Sequence, residues 1–347
     1  MLVDSPPEQR AETAPAPPTR RAARAFGLLL SVLLLLLVAL ASIAIGAKAL
    51  SLDQVWHGLF HDSGTYGDVV VDARLSRTVL GLLTGAALGL SGAVLQALTR
   101  NPLADPGLLG INAGASAAVV TAITFFGVTS LSGYVWFAFA GAAAVGALVW
   151  FLGGSRGATP VRLALAGTAV SAALYGYLQA VMITDGAALG RMRFWTVGSL
   201  ASASDATIMQ VLPFLAAGTV LALVLARPLN AVELGDDTAR ALGANLNRTR
   251  ALAMLAAVVL SGAATAACGP IVFVGLMVPH VVRSFTGPDL RWILPYATVL
   301  APVLLLGADV IGRVATRPAE LQVGIVTAVI GGPVFIFLVR RRRTAQL

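Results

Sequence analysis

Charge is what this sequence has least of. Of its 347 residues, 12% are charged and 57% hydrophobic. A water-soluble chain of this length needs far more charge to cover its surface, which excludes a soluble globular protein and leaves a polytopic membrane protein. A single cysteine, Cys268, excludes an internal disulfide. It stands before Gly269 and Pro270, at an expected helix break, where a small packing residue and a reactive thiol both fit. Lysine is almost absent: Lys48 is the one lysine among 24 basic residues, and the Arg/Ala bias points to a GC-rich bacterial genome. Enzyme signatures are missing as well. The chain has no G-x-x-x-x-G-K-[ST] phosphate loop, no H-E-x-x-H and no G-x-S-x-G. No catalytic residue, cofactor site or metal site is therefore expected. The net charge of +8 does not indicate nucleic acid, because the arginines lie between apolar runs and form no single basic surface.

Apolar runs fill the space that charge leaves. They lie near 26–47, 78–98, 110–128, 133–152, 160–182, 206–226, 251–268, 270–285, 291–310 and 320–339. Each is long enough for a membrane span or close to it. The expected fold class is an all-α polytopic membrane protein of about ten transmembrane helices. Residues 1–24, rich in Pro, Ala, Arg and Glu, read as a disordered tail ahead of a membrane domain over 25–343. Arg20, Arg21 and Arg24 before the first run imitate a secretory signal, but that run is too long for a signal core and no A-x-A site follows it.

An even number of spans puts both termini on one side. With the N-terminus inside, seven of the 24 basic residues fall outside: Lys48, Arg74, Arg77, Arg191, Arg193, Arg313 and Arg317. The others fall inside, which is the bias the positive-inside rule demands and sets both termini in the cytoplasm. Abundant Gly (36 residues) and Ala suit helices that pack through small side chains. Ser91-Gly92-Ala93 recurs as Ser261-Gly262-Ala263, each followed by a Pro-broken segment and a Gly-Leu step. Five spans separate the copies, so they face opposite ways across the membrane. This is the pattern of inverted internal repeats, which place a pathway at their interface.

Charged and polar residues inside this frame are few enough to weigh singly. Asp309 and Arg313 are four apart near the outer end of the ninth span. A local ion pair and a proton relay both fit, and the lack of midplane acids argues that the energy source lies elsewhere. His57 and His61 are also four apart, in the outer loop 48–77; that spacing could bind metal, but no third ligand is evident and solvated loop histidines are the better reading. The stretch 227–250 forms the largest internal cytoplasmic loop. Its acids Glu233, Asp236 and Asp237 precede a short helical piece, Thr238–Leu242, which Gly243 ends. It reads either as a solvated connector or as a lever that takes force from a separate ATPase.

Five ordered blocks carry a resemblance. They are RLSRTVLGLLTGAALGLSGAVLQALTRNPLADPGLLGINAGAS (74–116), FWTVGSLASAS (194–204), ARALGANLNRTR (239–250), GPIVFVGLMVPHVVRSFTGPDLRWILP (269–295) and AELQVGIVTAVIGGPVFIFLVRR (319–341). Together they resemble the FecCD-type permease subunits of iron–siderophore, haem and vitamin B12 ATP-binding-cassette importers, over roughly 26–343. One departure is Ser76, where the family often has proline. The resemblance implies a type II importer permease fold in a bacterial cytoplasmic membrane. It also implies a second permease subunit, as a homo- or heterodimer, two cytoplasmic ATPase subunits and an extracytoplasmic substrate-binding lipoprotein. It implies that Arg74, Arg77 and Arg313 dock the binding protein through its acids. It further implies that Asn101 and Leu103, in the Pro102/Pro106 elbow, close the cytoplasmic end of the path, and that Ala239, Leu242 and Gly243 sit against the ATPase. Thr168, Ser171, Tyr175 and Gln179 on the fifth span are candidates to line the path, although hydrogen bonds to neighbouring helices would explain them as well. Ferric siderophore is the favoured cargo, with haem and cobalamin open. An ion-coupled carrier using Asp309 and a non-transporting membrane scaffold are the competing readings.

Overall fold

Helix α3, Tyr66–Thr99, carries one glycine-lined face down most of its length. A Cβ on Gly85 would lie 2.6 Å from Pro302 Cα, and one on Gly89 would lie 2.6 Å from Ala301 Cβ. At Gly92 a Cβ would overlap the carbonyl oxygen of Gly275. Spacings of four and three keep these glycines on one side of the helix, so neighbouring backbones close onto α3 directly. This is the physical use of the small-residue run seen in the sequence.

The computed structural model describes residues 19–61, 64–153 and 160–343. Helix α1 covers Thr19–Ala44 and α2 covers Leu52–Phe60. After α3, a 3₁₀ turn at Pro106–Leu109 leads into α4, Ile111–Phe126. Helices α5 (Leu131–Leu152), α6 (Pro160–Thr184) and α7 (Gly186–Trp195) follow. Then come α8 (Asp205–Val224), the short pair α9 (Ala226–Glu233) and α10 (Asp236–Ala241), and α11 (Leu246–Cys268). The chain closes with α12 (Val274–Thr286), α13 (Leu290–Ala315) and α14 (Val323–Arg343). No strand occurs among the described residues.

The ten expected spans correspond to α1, α3, α4, α5, α6, α8 and α11 to α14. Seven of these are long and apolar enough to cross a membrane by themselves; α4 and the described apolar part of α14 are shorter. Side-chain bonds sort the helix ends into two faces. Tyr296 Oη donates to Arg24 O, and Asn230 Nδ2 donates to Asp289 Oδ1, on the face that carries α9 and α10. Arg313 Nη1 donates to Ser42 O, and Arg317 Nη2 donates to Gly46 O, on the face that carries α2.

The SGA echo falls on α3 and α11, which pack together, with Ser91 Oγ donating to Ala257 O at 3.0 Å. Each helix also reaches the short helix that follows its counterpart. Gln96 Nε2 on α3 donates to Leu276 O of α12 at 3.0 Å, and Thr265 Oγ1 on α11 donates to Asn112 Oδ1 of α4 at 3.0 Å.

Three sequence expectations are corrected. Helix α1 begins at Thr19, so residues 19–24 are helical where a tail was expected; Arg and Ala are good helix formers there. Residues 1–18, the rest of that tail, lie outside the described residues. The stretch 48–77, expected as a loop, is mostly helix, because capping boxes at Ser51/Gln54 and Thr65/Asp68 start α2 and the first turns of α3. The helical piece in 227–250 starts at Asp236 rather than Thr238, with α9 ahead of it.

Candidate functional site

On the α2 face, charge gathers where hydrocarbon packing would be expected. Asp309 of α13 is fully buried. Arg77 of α3 donates to it from Nη2 at 2.7 Å and from Nε at 3.0 Å, and donates from Nη1 to Glu320 at 2.7 Å. Arg313 Nε lies 3.1 Å from Asp309 Oδ2, a coulombic contact without hydrogen-bond alignment, while its Nη2 donates to Ser42 Oγ. Arg74 donates from Nη1 to the carbonyls of Ile43 and Ala44 at 3.0 Å, and from Nη2 to that of Lys48. Buried charge is tolerable only when paired or hydrogen-bonded: Arg77, Arg313 and Asp309 are paired, and Arg74 is satisfied by three backbone carbonyls.

This cluster changes the expectation of a free cationic rim. Arg74, Arg77 and Arg313 are 5%, 9% and 1% exposed. Burial and internal partners commit them to tying α1, α3 and α13 together. The expected Asp309–Arg313 pair is present, but the stronger link runs from Asp309 to Arg77, a partner that spacing in the sequence did not suggest.

On the α10 face, α3 ends at Arg100, whose φ of +50° is left-handed. The elbow that follows is held by its own side chains. Asn101 Oδ1 accepts from Leu103 N at 2.9 Å, and Asp105 Oδ1 accepts from Gly107 N at 2.7 Å. Pro106 opens the 3₁₀ turn, and Gly110 at φ +75° passes the chain into α4. Asn101 and Leu103 are exposed at the tip. Asp105 is half-buried, and that burial pushes its carboxyl up to about 6 despite the bond from Gly107.

A cavity of about 350 Å³ separates the elbow from α6, and both Asn101 and Thr168 line it. The residue types expected at the gate and on the path thus meet in one space. Thr168, Tyr175 and Gln179 are exposed and Ser171 is half-buried, along one side of α6. Thr168 satisfies its hydroxyl on Ala164 O at 2.8 Å, within its own helix. Tyr177 points elsewhere, to the hydroxyl of Thr121 at 2.8 Å.

The α9–α10 segment folds against the end of α3. Val232, Ala239 and Leu246 make a small core. Ala239 is fully buried in it, so this alanine anchors the segment from within and does not supply a close-docking surface. Leu242 (65% exposed) and Gly243 (φ +79°) are on the outside. Arg100 Nε donates to Val232 O at 2.8 Å, and its Nη2 pairs with Asp236. Arg250 Nη2 donates to the same carboxylate at 2.8 Å. Burial raises the Asp236 carboxyl, but the bonds from Arg100 and Arg250 outweigh it and hold the group below its ordinary value. Glu233 pairs with Arg283 of α12 at 2.9 Å, and Asn230 bonds Asp289 at the start of α13. None of these long-range bonds was readable in the sequence.

His57 and His61 stack at 4.7 Å, and no group of three possible ligands occurs among the described residues. Cys268 is buried, the packing role of the two considered.

Ten spans arranged around a glycine-faced helix, with a Pro elbow at one end, are matched by known proteins. Residues 33–341 match the FecCD transport family. The chain belongs to that family. It is 49% identical over 319 residues to the ferric enterobactin transport system permease protein FepD of Escherichia coli, covering 90% of this chain and 94% of the relative. It is 38% identical to the hemin transport system permease protein HmuU of Yersinia pestis, over 91% of this chain and 96% of the relative. A solved structure described as an inward-facing conformation of a metal-chelate type ABC transporter superposes with a TM-score of 0.80 at 29% identity, covering 92% of this chain and 99% of that one. The protein is a multi-pass permease subunit of this transporter family.

Proposed function

We propose that this permease carries ferric siderophores, with ferric enterobactin first among them, across a bacterial cytoplasmic membrane. ATP hydrolysed by partner chains supplies the free energy. The match to the enterobactin permease along nine-tenths of the chain carries the cargo class. The cavity shared by Asn101 and Thr168 supports a path that runs down α6 and closes at the elbow. The orientation is the one the arginine bias favours, with the α10 face and both termini in the cytoplasm. Two ATPase subunits bind the α10 face through Leu242 and Gly243, and an external binding lipoprotein delivers cargo to the α2 face. That face is held in shape by the Arg77–Asp309–Arg313 cluster, so delivery uses the exposed loop around Arg317 and Glu320 above it. A second permease subunit completes the path opposite α6, where polar side chains exposed to lipid alone would be costly.

An ion-coupled mechanism through Asp309 is disfavoured because its carboxylate is already engaged by two arginines. The test is uptake of ferric enterobactin by proteoliposomes that hold the permease with its ATPase and binding protein. Uptake requires ATP and survives collapse of ion gradients. Uptake that follows the ion gradient and ignores ATP would sink the proposal, and uptake of haem in its place would reassign the cargo.

A further inference from the structure

Arg100 occupies an unfavourable backbone position. Its φ of +50° ends α3 in the left-handed conformation, which glycine or asparagine adopts at lower cost. An arginine kept at such a position points to its side chain as the reason. That side chain leaves the elbow and spans a break in the neighbouring segment. Nε holds Val232 O at the end of α9, and Nη2 holds Asp236 at the start of α10. Between those two contacts lies Gly235, at φ +109°, with no atom near the place where a Cβ would stand. Gly235, whose own amide also bonds Val232 O, is the hinge position between α9 and α10, and Arg100 is a staple across it.

The two sides of the hinge are held differently. Helix α9 is fixed to the membrane domain by Glu233–Arg283 and by Asn230–Asp289. Helix α10 packs Ala239 against Val232 of α9 and Leu246 of α11, and its Asp236 pairs with Arg100, next to the elbow, and with Arg250 of α11. The Arg100–Asp236 pair is about one-third exposed on both sides, so it adds little to stability. Its value is directional: a displacement of α10 pulls on the residue immediately before Asn101.

We propose that Arg100 is the transmission residue of this permease, a positioning residue that relays movement of α10 to the 101–106 elbow. The proposal rests on the reading of α10 as an ATPase contact and of the elbow as a gate. Asp236 also accepts from Arg250 of α11, which fixes its carboxylate within reach of Arg100.

The test uses the assembled transporter in proteoliposomes, with ATP hydrolysis and ferric enterobactin uptake measured together. In Arg100→Gln, hydrolysis persists while substrate moved per ATP falls by about tenfold, the scale of one charge-assisted hydrogen bond. A purely structural role would lower both in proportion. A second variant guards against misfolding: Arg100→Cys with Asp236→Cys, in a chain whose native Cys268 is buried. Uncoupled as the free thiols, it regains uptake per ATP when a short bifunctional reagent bridges the pair. Full coupling with free thiols, or a bridged protein that hydrolyses ATP without uptake, would overturn the assignment. Failure of the unmodified complex to couple ATP to uptake would count against the functional reading instead.

Discussion

Arg77 and Asp309, 232 positions apart, meet as a two-point ion pair in the buried end of the helix bundle, at 2.7 and 3.0 Å. Arg77 stands on α3 and Asp309 on α13, the two helices whose backbones close together along the glycine face. The pair thus locks the end of an interface that small residues zip shut below it.

Removing one partner leaves the other charged and buried. Asp309→Ala is expected to cost about 3–5 kcal/mol, because Arg77 and Arg313 would both lose their counter-charge. The measurement is thermal or denaturant unfolding in detergent, read against Glu320→Gln. Glu320 is one-third exposed, so its loss should have a small effect. Equal effects of the two substitutions would contradict the burial argument.

The glycine face predicts a contrast within one residue type. Gly92→Ala puts a methyl group onto the Gly275 carbonyl and should lower the melting temperature sharply or prevent accumulation of folded protein. Gly307→Ala, in α13 with nothing within 4 Å of the added carbon, should be neutral or stabilising by up to about 1 kcal/mol. A tolerated Gly92→Ala would mean that α3 and α12 do not approach as described.

The α10 segment separates structure from contact. Ala239→Leu overfills the Val232/Leu246 core and should destabilise by about 1–3 kcal/mol. Leu242→Glu changes an exposed side chain, so the melting temperature should stay put while ATPase association and uptake are lost. Binding of the purified ATPase subunit, measured beside the melting curve, distinguishes the two. Loss of folding in Leu242→Glu would show that this residue belongs to the core.

Asp105 gives a pH dependence. Its folded carboxyl is raised to about 6, above the ordinary value near 4, so the folded elbow holds its proton more tightly than the unfolded chain does. The contribution is therefore favourable at low pH and is lost as pH rises between about 4 and 6. Asp105→Asn keeps an acceptor for Gly107 N and should flatten stability across that window. A melting-temperature profile that is already flat in the unmodified permease would refute this.

Much of the architecture was legible because hydrocarbon imposes a simple code. Runs of about 20 apolar residues mark spans, and the Pro102/Pro106 elbow breaks the pattern where α3 ends. The SGA echo gave the repeat because local spacing survives duplication. What stayed hidden depends on distant partners. Arg74, Arg77 and Arg313 look like a rim in one dimension, and only the fold brings Ser42, Asp309 and Glu320 to them. Ala239 looks like an exposed small residue until Val232 and Leu246 close over it. Helix α2 was read as loop because nine residues are too few to show a helical period, although its capping box at Ser51 and Gln54 was there to be seen.

The separation between Arg77 and Asp309 also bears on how the protein is made. Helix α3 enters the bilayer early in synthesis, and its arginine must wait for a counter-charge that arrives only with α13. Until then the growing chain holds a guanidinium near the lipid boundary, a state that favours proteolysis or retention beside the insertion machinery. A chain truncated before α13 would therefore leave Arg77 without its Asp309 partner.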